Sequence, residues 1–389
     1  MARMLCGAGE YPAGLAAVAA HRLPEPAHAL PARPPSDDAF DALVRGAAAH
    51  RVTGLLAAAV REGALPTTAE QARRAAAAHR AGQLRVLALE QQLLAVTALL
   101  AGHGLGVRVL KGAALAHLDH PDPALRSFGD LDLLVRPAEI DRVVAVLSAA
   151  GFRRTLAEPR PGFDRRFDKG LTMVPDAGYE LDLHRTFVLG PWGRLVDLDA
   201  LWSGPGQEFT VAGRPLRALD RPHRFLHACF HAALGDWPLR LGSLRDVAEL
   251  LRGLRSPGGA DDTARVRAAA AGWGVEAVVT AAVADAHRLL GGPDDALTGW
   301  ARGFVPSRRD ERWLALHTRA DKTFAAQALA TVPVLPRWRD RAAYLYALAL
   351  PQRGYTAGRH RTPAARLAYA VAQVRAGRSR RGARDEPGG

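Results

Sequence analysis

Three short segments carry residues able to do chemistry: Lys111-Gly112, then Asp130-Leu131-Asp132, then Glu180-Leu181-Asp182-Leu183-His184. The first is a glycine turn closing the apolar run Val107–Leu110, where backbone N–H groups and one ammonium could hold phosphate. The other two alternate acid with leucine. Successive side chains on a strand point to opposite faces, so each set of acids falls on one side. Asp130 and Asp132 would then set their Cα atoms about 6.6 Å apart. Such a pair can bracket two magnesium ions about 4 Å apart, one serving an attacking oxygen and one a departing pyrophosphate. A third carboxylate from a neighbouring strand completes the attacking side. Glu180, Asp182 and His184 share a face, and by parity either acid could serve. Three carboxylates beside a phosphate-binding turn are what two-metal phosphoryl or nucleotidyl transfer needs. The competing interpretation is a solvated strand face of alternating charge, common on antiparallel sheets. The order of the three segments weighs against it.

The elements that must position these residues can be read around them. Residues 1–35 carry many Pro, Gly and Ala, and are expected to be loosely ordered. Ser36 is placed to cap a helix through Phe40, Leu43, Val44 and Ala47, and further helices are expected over Thr53–Glu62 and Thr68–Gly102. From Gly104 the texture changes. Val107–Leu110 and Leu131–Val135 read as strands, Ala113–Leu118 as a helix opening directly after Gly112, and Pro137 as a helix start closed by Gly151. Leu171–Val174 and Tyr179–Leu183 bracket the turn sequence Pro-Asp-Ala-Gly178 as a hairpin, with edge strands expected at Phe209–Val211 and Pro215–Ala218. From Pro222 the pattern is helical. The sequence therefore predicts an α+β fold: a small mixed β-sheet core at 81–218 flanked by helices. A start and helical lead-in occupy 1–80, a helical domain 219–374, and a basic disordered tail 375–389.

Composition narrows the function classes. At 389 residues and 48% hydrophobic content the chain can bury a substantial core. No stretch reaches the roughly 18 uninterrupted apolar residues of a membrane span, and Glu10 and Pro12 break any leader-like apolar region. Cys6 and Cys229 cannot form a disulfide framework, so a cytoplasmic location is expected. The net charge of +13 invites a nucleic-acid partner, but the basic residues cluster only at Arg375–Arg384, which argues against dedicated nucleic-acid binding. Of the 52 Lys and Arg residues only Lys111, Lys169 and Lys322 are lysine. Where nearly every cation is Arg, a Lys in a tight turn points to a need for a compact point charge.

Leu110-Lys-Gly-Ala-Ala-Leu115, Leu125-Arg126, Gly129-Asp-Leu-Asp-Leu-Leu-Val135, Gly151-Phe152 and Leu181-Asp-Leu-His184 together resemble the uncharacterised nucleotidyltransferase family of the polymerase-β-type superfamily. Phe225-Leu-His-Ala-Cys-Phe-His231 and Leu244–Leu251 resemble that family's helical segment. The resemblance implies Mg²⁺ and an NTP as co-substrate, with transfer of a nucleoside monophosphate to an acceptor hydroxyl and release of pyrophosphate. It implies that Asp130, Asp132 and Asp182 are the catalytic, metal-binding carboxylates, with Glu180 as the alternative third acid. Lys111 and Gly112 match the phosphate-contacting turn, where this chain has Lys-Gly instead of the more usual Gly-Ser. Arg126 is placed as a phosphate clamp, its guanidinium fork suited to oxyanions. The acceptor is left open: a small molecule, a peptide or a protein. A degenerate member acting as a nucleotide sensor, antitoxin or scaffold is the alternative. His184 could orient Asp182 or contact substrate. His227 and His231, spaced i, i+4 with His223 a turn earlier, lack the third ligand of a zinc site and are expected to pack on the sheet or line the acceptor pocket. Trp192, Trp202 and Trp237 are candidates for base stacking or core.

Overall fold

A computed structural model describes residues 11–356 apart from 13, 237, 257, 258 and 319–322. Trp237 and the basic tail, both singled out above, lie outside the described residues. The fold is α+β. Strands β1 (Val107–Val109), β2 (Leu131–Val135), β3 (Arg153–Arg154), β4 (Gly170–Val174), β5 (Leu181–His184), β6 (Gln207–Val211) and β7 (Arg214–Ala218) form one sheet. Their order is β3-β4-β5-β2-β1-β7-β6. β2 runs antiparallel to β1 and parallel to β5, and β1 runs parallel to β7, so the sheet is mixed.

The alternation that marks the strands also divides the sheet into two faces. On one, Leu131, Leu133 and Val135 of β2, Leu181 and Leu183 of β5 and Met173 of β4 are buried in one cluster. Their partners are Val86, Leu89, Leu93, Val96 and Leu100 of the 34-residue helix Ala69–Gly102, and Ile140, Val143 and Leu147 of the helix Ile140–Ala149. Each such aliphatic side chain, fully buried, contributes about 2 kcal/mol. The long helix is started by Thr68 and Gln71, each bonding the other's backbone N–H. By length and composition it could cross a membrane, but its buried stripe is spent on the sheet. The other sheet face bears Asp132, Asp182 and His184. Leu134 of that face joins a second, larger cluster built from the helices Arg221–Phe230, Leu241–Leu254 and Glu276–Leu290.

Two segments differ from the sequence expectation. Leu15–Ala19 form a short helix whose Leu15, Val18 and Ala19 are fully buried in the larger cluster. The Pro and Gly content nearby hid an apolar triplet, which the buried Arg245 ties down by donating to the carbonyls of Ala19 and His21, each at 2.7 Å. The hairpin is also trimmed: Tyr179 and Glu180 precede β5, and the Tyr179 backbone is bonded by the Gln92 amide from the long helix. A two-residue strand, β3, extends the sheet beyond β4.

Candidate active site

Parallel pairing of β2 with β5 sets Asp132 directly opposite Asp182, and Leu134 opposite His184. This register makes the site. One ligand atom from each of Asp132, Asp182 and His184 lies within 4.8 Å of the others, a spacing that could hold one metal ion. His184 Nε2 is 2.9 Å from Asp132 Oδ1, so the ring is fixed by the acid it serves. Thr172 of β4, paired with Asp182 in register, donates its hydroxyl to Asp182 Oδ1. Asp132 Oδ2 and His184 Nδ1 are buried and make no hydrogen bond among the described residues. The Lys111 ammonium answers the Asp132 oxygen at 3.3 Å, and a buried imidazole nitrogen left without a partner beside two carboxylates fits a cation.

Asp130 sits one residue before β2 and is bound by two cations. Lys111 Nζ is 3.0 Å from Asp130 Oδ2 and 3.3 Å from Asp132 Oδ2, spanning the pair. Arg51 Nη1 donates to Asp130 Oδ1 at 3.1 Å. Arg51 holds φ at 60°, a left-handed conformation that costs a non-glycine residue about 1 kcal/mol. Its neighbour His50 is anchored by the N–H groups of Gly242 and Leu241 in the helical region. Glu180, in contrast, is exposed and outside the cluster; its carbonyl receives the Leu131 N–H.

The Lys-Gly turn is built to hold Lys111 still. Gly112 has φ +59°, and a Cβ there would meet the Phe128 ring at 3.2 Å, so glycine is required both for conformation and for space. Its carbonyl accepts from Arg126 Nη1 at 3.0 Å. The remainder of the Arg126 fork grips both oxygens of Asp246 at 2.7 Å, and His120 Nε2 reaches Asp246 Oδ1 at 2.9 Å. The oxyanion that Arg126 meets is therefore a carboxylate from the helix Leu241–Leu254, and the pair fixes the turn from across the core. The helix after Gly112, Ala113–Leu118, spans only 6 residues.

Charge is balanced by contact. Burial would raise the Asp132 carboxyl, but the Lys111 ammonium and the His184 ring hold it well below the usual carboxylate range. Burial and Asp132 push Asp130 up; Lys111 and Arg51 outweigh them and leave it lowered. Burial alone would lower Lys111, yet the two acids raise it. Asp246, also buried, is held down by Arg126. A carboxylate with a depressed folded pKa contributes stability that is present above its unfolded value and lost as pH falls through the folded one. The share of stability that these carboxylates supply, read as the difference between wild type and Asp246→Asn, should therefore stay constant down to about pH 5 and shrink below about pH 4, on top of the loss below about pH 6.5 from histidines buried uncharged. Thermal denaturation at stepped pH checks this, with Asp246→Asn showing a shallower acid slope; a difference unchanged down to about pH 2 would refute it.

The helical region covers the acid-bearing face with histidines. His227 is buried, edge-on to Phe187 at 4.9 Å between centroids, and burial together with His231 and His184 lowers it well below an ordinary histidine. His231 opens a π-helical turn, His231–Gly235, a rare geometry often found at functional sites. Burial and the Lys111 charge lower it to about 4, with Asp236, Asp132 and Asp130 opposing. His223 lies away from this group, bonded to the helix-capping Asp220 at 2.6 Å and stacked on Trp273. Trp192 is core, packed against Trp313, and the Trp202 ring carries the guanidinium groups of Arg108 and Arg136. Sequence reasoning missed Arg51 and Thr172. The only local signal for either was the position of Thr172 on a strand next to the acids.

Asp132 and Asp182 from adjacent parallel strands, His184 two residues beyond Asp182, and Lys111 against Asp130 and Asp132 make up one cluster. The chain belongs to the uncharacterised nucleotidyltransferase family, whose model matches residues 36–291 and so covers every residue of this cluster. No curated protein matches it.

Proposed function

We propose that this protein is a cytoplasmic, Mg²⁺-dependent nucleotidyltransferase of the polymerase-β type, moving a nucleoside monophosphate from an NTP to an acceptor hydroxyl. The observation that carries this is the convergence of Asp132, Asp182 and His184 beside the Asp130–Lys111 pair, on one face of the sheet. A divalent cation bound there would neutralise phosphate charge and acidify an acceptor hydroxyl. The chain's own residues do the rest. His184 orients Asp132, and the Thr172 hydroxyl orients Asp182. Lys111 supplies fixed positive charge at the Asp130 edge, where the triphosphate would lie. Asp182, the carboxylate not engaged by Lys111, is placed to draw the proton from the acceptor oxygen. That oxygen then bonds to the α-phosphorus as the bond to pyrophosphate breaks. The helical face bearing His227 and His231 would exclude water and contact the acceptor, a small molecule, peptide or protein. Incubation of the full chain with labelled NTPs, Mg²⁺ and acceptors of each class tests this. Pyrophosphate release with label on an acceptor is the expected result. NTP binding without pyrophosphate release would instead support a nucleotide sensor, the reading that the Lys-Gly turn favours.

A further inference from the structure

The Lys111 ammonium stands where a bracketing metal would stand. It lies 3.0 Å from Asp130 and 3.3 Å from Asp132, with the side chain only 11% exposed. The two carboxylates hold the ammonium, on a turn whose backbone Gly112 and the Asp246–Arg126 pair fix. With Arg51 on the remaining oxygen, Asp130 has both oxygens committed to side-chain cations. Asp132 and Asp182 are different. Asp132, 3% exposed, meets Lys111 through Oδ2 but turns Oδ1 to the His184 ring, Asp182 has Oδ1 on the Thr172 hydroxyl, and ligand atoms of Asp132, Asp182 and His184 lie within 4.8 Å of one another. A metal ion inserted between Asp130 and Asp132 would meet the Lys111 charge at contact distance in a poorly solvated site, where like charges repel strongly.

We propose that Lys111 permanently fills one of the two cation positions of this centre, and that the chain takes up a single divalent ion, held by Asp132, Asp182 and His184. The consequence for catalysis rests on the nucleotidyl-transfer reading; the ion count does not. An imidazole among the ligands favours a first-row transition ion over Mg²⁺, and Mn²⁺ also accepts the two carboxylates. The rarity of lysine in this chain agrees with the assignment, since a compact ammonium fits a metal position and a guanidinium fork does not.

The test is a titration of the full chain with Mn²⁺ alone, following the paramagnetic resonance signal of the free ion. Wild type should bind one Mn²⁺. Lys111→Met should bind two, because the vacated position opens between Asp130 and Asp132. Lys111→Gln serves the same purpose if the Met variant does not fold. His184→Ala should weaken the single wild-type site by about tenfold or more. Two ions in wild type, none in wild type, or one ion in folded Lys111 variants overturns the proposal. Pyrophosphate release is scored separately. An inactive chain binding one Mn²⁺ loses the transfer reading and keeps this one; an active chain binding two does the reverse.

Discussion

Asp132→Asn should lower pyrophosphate release by about a thousandfold or more while leaving the protein folded. The carboxylate is the one group that faces His184, Lys111 and the shared cation space together. Asparagine keeps the shape and can still bond the His184 ring, but it removes the negative charge on which cation binding depends. Loss of one preorganised charged group at a reacting centre typically costs a hundred- to thousandfold, and loss of a metal ligand more. The loss should appear in kcat rather than in KM alone, since the missing interaction belongs to the transition state. Steady-state kinetics with saturating NTP measures it, and circular dichroism confirms the fold. A kcat within about tenfold of wild type would remove Asp132 from the reaction.

Arg126→Ala should cost about 3–5 kcal/mol of stability, the usual price of breaking a buried ion pair from one side. The guanidinium and the Asp246 carboxylate are both almost fully shielded, and the substitution strands Asp246 with only His120 for company. The accompanying fall in melting temperature should be about 4–6 °C. Replacing both partners with apolar residues, Arg126→Met with Asp246→Leu, should recover most of the loss, because no uncompensated charge remains. Thermal unfolding of the two single variants and the double variant measures this. If Arg126→Ala melts within about 2 °C of wild type, the pair does not hold the turn.

How much of this could be read from the chain depends on how far apart the partners lie. The Asp-x-Asp and Leu-Asp-Leu-His segments were legible because a period of two ties side chains to faces without knowledge of the partner strand. Parity alone did not choose between Glu180 and Asp182, and Asp182 was preferred only through the family resemblance. The parallel register that sets Asp182 against Asp132 is stated by no local pattern. Arg51 was invisible for a related reason. It is one arginine among many, and its bond to Asp130 spans 79 positions. Arg126 was legible as an oxyanion-binding fork but not in its partner, because Asp246 lies 120 residues further on. The helices were easier, since Thr68, Ser36 and the spacing of leucines act locally. The π-turn at His231 follows from no residue pattern we can name.

The bond between Arg126 and Asp246 has a bearing on where this protein may be cut. A fragment ending after β7 would keep every carboxylate of the cluster, yet it would leave a guanidinium stranded in the interior and strip the cover from the acid-bearing face. A fragment starting after the first helices would forfeit Arg51 and leave Asp130 to Lys111 alone. Both ties fall within the span shared with the family, residues 36–291. Sheet and helices there are tied by charge, and cutting either away strands the ions of the other.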